Sequence, residues 1–323
     1  MPNNARLLLL DGVTVETLLQ PDEVLRAVQE AFVLHSRREG RVFALVREAL
    51  STGGVFGIKS GDVASKDLLG FKAAGFWPSN RKLGAEPHQA TIVLIDPATG
   101  RPVCIIDGNA ITTARTGAAG GLGLQHLARQ DSERVCVFGT GVQAQVQLDF
   151  ALRLLPSLKH VRYVTSHGQR NADFEARFTD RCKIDCATDA NEAVANSDVV
   201  ITATPGGGPL FAADAVRPGT HLNCVGADTR GKRELPSGLL ERARLVVDDR
   251  QQARQIGETQ WAPDTPCEEL GDLLAGAVTQ QRRRDDITIF DMTGLALQDL
   301  TVARLVHDRA LSDGLGTSIA WPW

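Results

Sequence analysis

The stretch RVCVFGTGVQA, residues 134–144, is the strongest indication of fold in this sequence. An apolar strand pattern at 134–138 runs directly into a glycine-rich turn, and a helix is predicted at 143–154. Glycines let the backbone of such a turn approach a pyrophosphate, while the helix N-terminus supplies N–H donors and a favourable dipole. A tight turn in another α/β fold would share the motif, but its place between strand and helix favours a dinucleotide. The residues predicted to bind this cofactor are Gly139, Thr140, Gly141, Val142, Gln143 and Ala144.

The alternation of strand and helix continues beyond this turn. Nearly continuous apolar strands separated by helices, such as the helix predicted at 171–178, are typical of a parallel sheet covered on both faces. We therefore predict an α/β fold in which residues 117–294 form a Rossmann doubly wound parallel sheet. Its further strands are predicted at 161–165, 183–187, 198–204, 221–227, 244–249 and 287–291.

The chain before this region has a different rhythm. Pro21–Ser36 predicts a helix, after which short apolar runs bounded by Gly or Pro predict a meander of antiparallel strands. A helix rich in small residues follows at 109–128, and a last helix at 297–309 is expected to return to the first domain. We predict that residues 1–116 with 295–323 form an α+β antiparallel-sheet domain that binds the substrate.

The composition sets aside several classes of protein. The 323 residues carry 35 Lys and Arg against 39 Asp and Glu, a net charge of −4, which offers no general attraction for nucleic acid or an anionic membrane. No apolar run approaches the roughly 20 residues of a membrane span. The six cysteines form no CxxC pair and lie mostly in apolar runs, as expected of free thiols in a reducing compartment. We expect a cytoplasmic protein without nucleic-acid or membrane partners.

Four cationic residues interrupt apolar or small-residue segments of the first domain: Arg47, Lys59, Lys72 and Arg115. A charge in a segment built to be buried is unfavourable unless it is paired, so it marks either an edge or a site. Each residue alone is more often solvent-facing. Together, in a chain with a nucleotide domain, they favour an anionic substrate, because Arg grips carboxylates in a bidentate manner and Lys acts as a point charge.

The end of the second Rossmann strand bears on the choice between NAD and NADP. An acidic residue there binds the ribose 2′-hydroxyl of NAD, whereas basic or hydroxylated residues accommodate a 2′-phosphate. Residues 164–170 contain no acid, and Ser166, His167 and Arg170 could cradle a phosphate. This pattern slightly favours NADP, although Arg170 could equally be a surface residue at a helix start.

Three polar residues stand at or just beyond the ends of later strands. Asp228 follows the strand at 221–227, where open α/β sheets place their ligands, and a carboxylate there could serve an amine–imine conversion as general acid or base. Asp291 has a similar position, and both could instead cap turns. Thr204 ends the strand at 198–204 and is assigned, with Asp228, to the cofactor site. No histidine lies at ligand spacing from another ligand, so no metal site is predicted.

Several motifs, in this order, resemble those of the ornithine cyclodeaminase/μ-crystallin family: DGNAITTARTGAAGG, FGTGVQAQ, GADTRGKREL and FDMTGLALQDL. The resemblance spans nearly the whole chain. It implies a homodimer whose antiparallel-sheet domain also dimerises. It also implies that Arg47, Lys72 and Arg115 bind the substrate carboxylate, that Lys72 and Asp228 are catalytic, and that the turn at 139–144 holds the cofactor.

The segments GVFGIKSG and LGFKAAGFWPSN are similar to the iminosuccinate reductase branch, whose members reduce iminosuccinate to aspartate. A dicarboxylate needs a second anchor, which Lys59 or one of Arg81 and Lys82 could supply. An ornithine-type substrate would instead need an acid for its distal amine, such as Glu48 or Glu86.

We therefore predict an NAD(P)H-dependent imine reductase that works reversibly as an amino-acid dehydrogenase on a small carboxylated imine. One alternative is an ornithine-type cyclodeaminase with tightly held NAD. The other is a member that binds a nucleotide or small ligand without turnover.

Overall fold

Most helices and strands lie where the sequence pattern predicts them. The computed structural model describes residues 5–278 and 282–322. Its helices are α1 (Gly12–Leu18), α2 (Pro21–Ser36), α3 (Gly108–Leu127), α4 (Val142–Leu154), α5 (Ala172–Phe178), α6 (Ala190–Ala195), α7 (Arg250–Ile256), α8 (Leu270–Leu274) and α9 (Ala296–Asp313). Its first strands are β1 (Arg6–Leu10), β2 (Arg41–Val42), β3 (Val46–Ala49), β4 (Val55–Val63), β5 (Leu68–Phe76), β6 (His88–Ile95) and β7 (Pro102–Asp107). The remaining strands are β8 (Arg134–Phe138), β9 (His160–Val164), β10 (Lys183–Cys186), β11 (Val199–Thr202), β12 (His221–Cys224), β13 (Arg244–Val247), β14 (Cys267–Glu269), β15 (Thr288–Asp291) and β16 (Thr317–Ala320).

The chain divides into two compact units, 1–115 with 295–323 and 116–294. We call them the mixed-sheet unit and the Rossmann unit. The division falls inside α3, which is continuous across it. The substrate-binding and dimerisation roles expected of the first unit remain predictions. Among the described residues, no helix combines the length and apolar character that crossing a membrane requires.

The Rossmann unit is built on a wholly parallel sheet, as predicted. Its strands run in the order β10-β9-β8-β11-β12-β15-β13-β14. The direction of winding reverses between β8 and β11, which are hydrogen-bonded neighbours. A reversal of this kind opens a crevice at the carboxyl ends of the strands, and the glycine-rich turn follows β8 at that position.

The mixed-sheet unit has the order β16-β1-β7-β6-β5-β4-β2, with β3 pairing to β4. The predicted antiparallel meander is confirmed from β4 to β7. The apolar run at Leu7–Leu10 belongs to β1, which pairs in parallel with β7, so the sheet is mixed rather than purely antiparallel. Strands β1 and β7 are separated by almost a hundred residues of chain, and local periodicity cannot predict a pairing over that distance.

Helix α9 is longer than the predicted 297–309 and packs within the mixed-sheet unit against α2 and against β4 to β6. Gly70 on β5 lies under this helix, since a Cβ there would come within 2.9 Å of Leu300 Cδ2. The last helix therefore covers the sheet face on which β5 carries Lys72.

A buried polar group anchors α3 to the Rossmann sheet. Asn223 on β12 donates to the carbonyl of Gly120 at 2.9 Å, and His221 Nε2 lies 2.9 Å from Asn223 Oδ1. His221 Nδ1 is 2.9 Å from the hydroxyl of Thr288 on β15. Burial lowers the pKa of His221 to about 4. The ring is therefore neutral at pH 7, and its proton is best placed on Nε2, facing the amide oxygen.

Candidate functional site

Lys72 lies in the middle of β5 and is buried, with 4% of its surface exposed. Its ammonium is 2.8 Å from Asp299 Oδ1 on α9 and donates at 3.2 Å to the hydroxyl of Thr112 on α3. Pairing with a carboxylate is what a buried ammonium requires, because an isolated charge would be strongly disfavoured away from water. Three elements of the mixed-sheet unit thus meet at this one side chain.

Arg115 shares the same carboxylate. Its Nε lies 3.0 Å from Asp299 Oδ1, and its Nη1 donates to Gln298 Oε1 at 3.0 Å. Burial alone would raise the pKa of Asp299, but Arg115 and Lys72 outweigh that effect and the net shift is downward. One ionised carboxylate therefore balances two buried cations.

Lys59 and Arg47 lie on the same face of the sheet as Lys72. Lys59 on β4 stands directly opposite Lys72, and Arg47 on β3 stands opposite Gly57, two residues before Lys59. Cross-strand neighbours and alternate residues of one strand share a face. Both side chains are half-buried. Arg47, Lys59 and Lys72 thus lie on one face of the sheet, and Arg115 joins Lys72 at Asp299.

The electrostatic effect of this cluster is visible at Lys72. Burial lowers its pKa to about 7; Asp299 opposes the shift, and Arg115 and Lys59 add to it. His88, at the start of β6, responds in the same direction, since burial and the nearby Lys72 lower its pKa. A neutral His88 faces Asn109 Oδ1 at 3.1 Å from its Nδ1. A second anion entering this region would relieve repulsion among the cations.

The other charged residues considered from the sequence lie outside this cluster. Arg81 and Lys82 are exposed on the segment Pro78–Leu83, and the Arg81 guanidinium lies over the ring of Phe76. Glu48 is exposed on β3, and Glu86 is exposed in the loop before β6. None of these four has a described contact with Lys72, Arg115 or Asp299.

Sequence reasoning missed Asp299, the residue that unites the cluster. It stands in ALQDLTVA, where an acid interrupts an otherwise apolar helix face. The criterion that selected Lys72 and Arg115, a charge within a segment built to be buried, would have selected Asp299 as well. His88 had no comparable mark, because it lies at the edge of its strand pattern.

The glycine-rich turn has the geometry of a dinucleotide site. Gly139 has a left-handed backbone, with φ of 98°, and a Cβ there would lie 2.6 Å from the carbonyl oxygen of Ala203. A Cβ at Gly141 would meet no atom of the described residues within 4 Å, so the protein itself does not require glycine there. Gly141 is the N-cap of α4, and Ala144 in its first turn is fully buried.

These features fit a pyrophosphate. The first turn of α4 directs N–H groups at the open space beside Gly141, and anions bind at such helix N-termini. Thr140 Oγ1 accepts from Asn171 Nδ2 at 3.0 Å, which ties the turn to the start of α5. Gln143 Oε1 is buried, with no hydrogen-bond partner among the described residues. Residues 139–144 would therefore hold the diphosphate of a dinucleotide.

The end of β9 carries the residues assigned to the 2′ position. Ser166 and His167 are exposed in the loop after the strand. Arg170 is also exposed, but its guanidinium pairs with both carboxylate oxygens of Glu175, with Nε at 3.1 Å from Oε1. Arg170, together with the hydroxyl of Tyr163, lowers the pKa of Glu175 to about 2. Arg170 thus has a local partner, while Ser166 and His167 face solvent.

Thr204 and Asp228 lie in the loops that follow β11 and β12. The N–H and the hydroxyl of Thr204 both donate to Glu234 Oε1 at 2.7 Å, so this side chain is committed to the protein. Asp228 is partly exposed, and the Lys232 ammonium lies 2.6 Å from its Oδ1. Lys232 was not singled out from the sequence, although it stands in the same motif.

Asp291 differs from Asp228 in its burial and its role. It is fully buried, and it accepts from the N–H groups of Glu258 and Thr259 at 3.0 and 2.9 Å and from the Thr259 hydroxyl at 2.7 Å. This is the turn-capping role that the sequence left open for it. Burial raises the pKa of Asp291 to about 7, and the three donors oppose that shift.

Comparison with known proteins identifies the family of the chain. Residues 6–314 match the profile of the ornithine cyclodeaminase/mu-crystallin family. The chain is 34% identical to the alanine dehydrogenase of Archaeoglobus fulgidus, covering 97% of this chain and 98% of that one. It is 32% identical to the iminosuccinate reductase of Paracoccus denitrificans, covering 94% and 96%.

Solved structures give the same result. The iminosuccinate reductase of Paracoccus denitrificans in complex with NAD+ superposes with a TM-score of 0.90 at 31% identity, covering 98% of this chain and 99% of that one. An archaeal alanine dehydrogenase dimer with bound NAD gives 0.92 at 32% identity, covering 98% and 100%. The predicted enzyme class is confirmed, an NAD(P)-dependent oxidoreductase acting on CH–NH2 or C=N groups, in a family that also includes cyclodeaminases. The chain belongs to the ornithine cyclodeaminase/mu-crystallin family.

Proposed function

We propose that this enzyme reduces a small carboxylated imine to an amino acid with NAD(P)H and catalyses the reverse oxidation. The observation that carries the proposal is the buried pair Lys72 and Arg115, which share the single carboxylate of Asp299. Two buried cations on one counter-ion leave attraction for a further anion, and an α-carboxylate supplies one. The confirmed enzyme class supplies the reaction type.

Each residue has a distinct part in this proposal. Arg115 and Arg47 hold the α-carboxylate, and Lys72 places a charge beside the imine. With a pKa near 7, Lys72 can be charged or neutral under working conditions. Bound NAD(P)H supplies the hydride that reduces the C=N carbon. Asp228 manages the proton on the substrate nitrogen, and the fixed charges provide most of the remaining stabilisation.

Iminosuccinate is the substrate that we favour. Lys59 stands opposite Lys72 on the same face of the sheet and is the residue best suited to a second carboxylate. The diamine substrate of an ornithine-type cyclodeaminase would carry a distal ammonium onto a face that bears Arg47, Lys59 and Lys72. The two acids that could receive that ammonium, Glu48 and Glu86, are exposed. Charge complementarity therefore favours a dicarboxylate over a diamine.

Of NADH and NADPH, we favour NADPH as the cofactor. No acid stands at 164–170 to select a free 2′-hydroxyl, and Ser166 and His167 are exposed there to meet a 2′-phosphate. Arg170 is the third donor, held at the strand end by Glu175. The ratio of kcat/KM with NADPH to that with NADH measures this preference, and a ratio below one contradicts it.

A homodimer is also proposed. An archaeal alanine dehydrogenase of similar structure is described as a dimer. The mixed-sheet unit exposes large apolar side chains on and beside β3 and β5, among them Phe43, Val46 and Phe76. Exposed apolar side chains of this kind are covered when subunits associate. Light scattering coupled to gel filtration tests the proposal, and a monomer of 34.7 kDa at micromolar concentration would contradict it.

The first experiment follows NADH and NADPH oxidation with a panel of 2-oxo acids, each paired with ammonia or methylamine. Oxaloacetate with ammonia heads the panel, because it generates iminosuccinate. Rapid oxidation with this pair supports the proposed reaction and ranks the two cofactors. The contrary result is that no member of the panel causes oxidation of NADH or NADPH, while ammonia is released from ornithine or lysine with no net change in cofactor. That result establishes a cyclodeaminase instead. Dinucleotide binding without either reaction supports the binding protein.

Asp228→Asn tests the assigned proton-handling residue. Its turnover should fall by about 10²-fold or more, the scale of a lost general acid or base, while NADPH affinity stays close to that of the wild type. The exposed Asp264→Asn is the matched control and should leave both quantities unchanged. Full activity of Asp228→Asn would show that Asp228 does not handle the proton.

A further inference from the structure

One buried carboxylate joins the two loops that follow β11 and β12. Glu234 is completely buried. Its Oε1 accepts from the N–H and the hydroxyl of Thr204, both at 2.7 Å. Its Oε2 accepts from the N–H of Gly226 at 2.9 Å and from the hydroxyl of Thr202 at 2.7 Å. Each oxygen thus holds one backbone N–H, one from each loop.

Backbone hydrogen bonds also join the two loops. Gly208 N donates to the carbonyl of Arg233 at 3.0 Å, and Leu210 N donates to the carbonyl of Glu234 at 2.9 Å. A Cβ at Gly226 would lie 2.4 Å from Glu234 Oε1, so only glycine admits the carboxylate at this distance. The two loops therefore form one body around the Glu234 side chain.

Asp228 depends on this body for its position. It lies two residues after Gly226, its side chain is 40% exposed, and it pairs with Lys232. Lys232 in turn packs on the other loop, where a Cβ at Gly206 would come within 3.0 Å of Lys232 Cβ. Since Lys232 stands two residues before Glu234, Asp228 is held on both sides by segments that the Glu234 carboxylate fixes.

We propose that Glu234 is a positioning residue for Asp228. By holding the N–H groups of Thr204 and Gly226, its carboxylate fixes the loop from which Asp228 reaches the substrate nitrogen. This inference rests on the proposed function, in which Asp228 manages the proton. Glu234 itself touches neither substrate nor cofactor in this scheme.

A glutamine cannot replace this carboxylate. Both Glu234 oxygens act only as acceptors, and each faces a backbone N–H that cannot turn away. In Glu234→Gln, one of these N–H groups must face the amide NH2, whichever way the amide is turned. The variant therefore releases one loop while leaving the size of the side chain unchanged.

A double-mutant cycle tests whether Glu234 acts through Asp228. Glu234→Gln should lower kcat for the imine by about 30-fold or more, with KM and the dissociation constant of NADPH changed by less than about threefold. In the Asp228→Asn background, the same substitution should lower kcat by less than about twofold, because the positioned group is already lost. Thr202→Val is the matched control. It removes one hydrogen bond to the same carboxylate, keeps both loop contacts, and should change kcat by less than about threefold.

Two results would overturn the proposal. One is a nearly wild-type kcat in Glu234→Gln; the other is an equal loss of kcat in both backgrounds, which indicates a general structural role. Amide hydrogen exchange separates this inference from the proposed function, because it needs no substrate. Exchange in Glu234→Gln should rise at 203–208 and 225–232 and stay unchanged at 134–144, and unchanged exchange in both loops contradicts the proposal even if no imine is reduced. If Glu234→Gln does not fold, Glu234→Asp, whose shorter side chain draws the carboxylate away from both N–H groups, decides by the same readouts.

Discussion

The two units stabilise buried charge in different ways. In the mixed-sheet unit, Lys72 and Arg115 are balanced by the opposite charge of Asp299. In the Rossmann unit, two buried carboxylates are satisfied by backbone N–H groups and hydroxyls: Glu234 accepts from Thr204 and Gly226, and Asp291 from Glu258 and Thr259.

The difference indicates which buried charges hold the fold and which are available to a ligand. A carboxylate surrounded by fixed N–H groups has its acceptors occupied and holds loops in place. In the cationic cluster, one carboxylate faces two buried cations, and burial together with the neighbouring Arg115 and Lys59 lowers the pKa of Lys72. The cationic cluster thus keeps electrostatic capacity for an anion, while Glu234 and Asp291 are committed to the architecture of the Rossmann unit.

Removing a cation from the cluster should have the largest effect on catalysis. Lys72→Met should lower kcat/KM for the imine by about 10³-fold, roughly 4 kcal/mol of transition-state stabilisation, with little change in NADPH affinity. The exposed Lys66→Met, on the same unit, is the control and should behave as the wild type. Steady-state kinetics and cofactor titration measure both. A loss of less than tenfold would show that the cluster is structural, like the acids of the Rossmann unit.

Removing the counter-ion Asp299 tests the cationic cluster through the pH dependence of catalysis. In the wild type, the ammonium of Lys72 is lost as the pH rises through about 7, so a step that needs its charge weakens above that pH. Asp299→Asn removes the attraction that raises the pKa of Lys72, so this limb of the kcat/KM profile should move to lower pH. At pH 8 the loss should be about 10²-fold. The exposed Asp308→Asn on the same helix is the control, and an unmoved limb in Asp299→Asn would contradict the assignment to Lys72.

The Rossmann unit should respond to pH through stability instead. His221 is neutral in the fold, with a pKa of about 4, against the ordinary value of 6.5. The unfolded chain therefore binds more protons between these values, and the free energy of unfolding falls as the pH drops from 7 to 5. The expected contribution is about 2 kcal/mol. Denaturant unfolding of His221→Gln should lack this contribution, while the exposed His160→Gln should retain it. Equal slopes in His221→Gln and the wild type would show that folding does not lower the pKa of His221.

The smallest effect is expected at Arg170, whose exposed guanidinium pairs with the buried carboxylate of Glu175. Arg170→Ala should lower the NADPH to NADH ratio of kcat/KM by about threefold to fivefold, since a single contact between an exposed guanidinium and a 2′-phosphate contributes roughly 1 kcal/mol or less. Arg177→Ala, which removes another exposed arginine of the same unit, is the control. An unchanged ratio would assign Arg170 to holding Glu175 alone.

The sequence predicted several residues of the candidate site but missed two of them. Arg47, Lys59, Lys72 and Arg115 were identified because each places a charge in an apolar segment, and strand register puts the first three on one face. Asp299 carried the same mark and was missed. Glu234 was missed for another reason, since its neighbours in GKREL are polar and nothing in the sequence marks it as buried.

The sequence alone determined the Rossmann half, the antiparallel meander from β4 to β7 and the glycine-rich turn. Hydrophobic periodicity and turn chemistry are local, so a single chain displays them. Only the folded chain reveals that β1 joins β7 in parallel, that Asp299 contacts Lys72 across 227 residues, and that Glu234 binds the loop of Asp228. Contacts between distant segments depend on how the elements pack, and buried charges find their partners only through that packing.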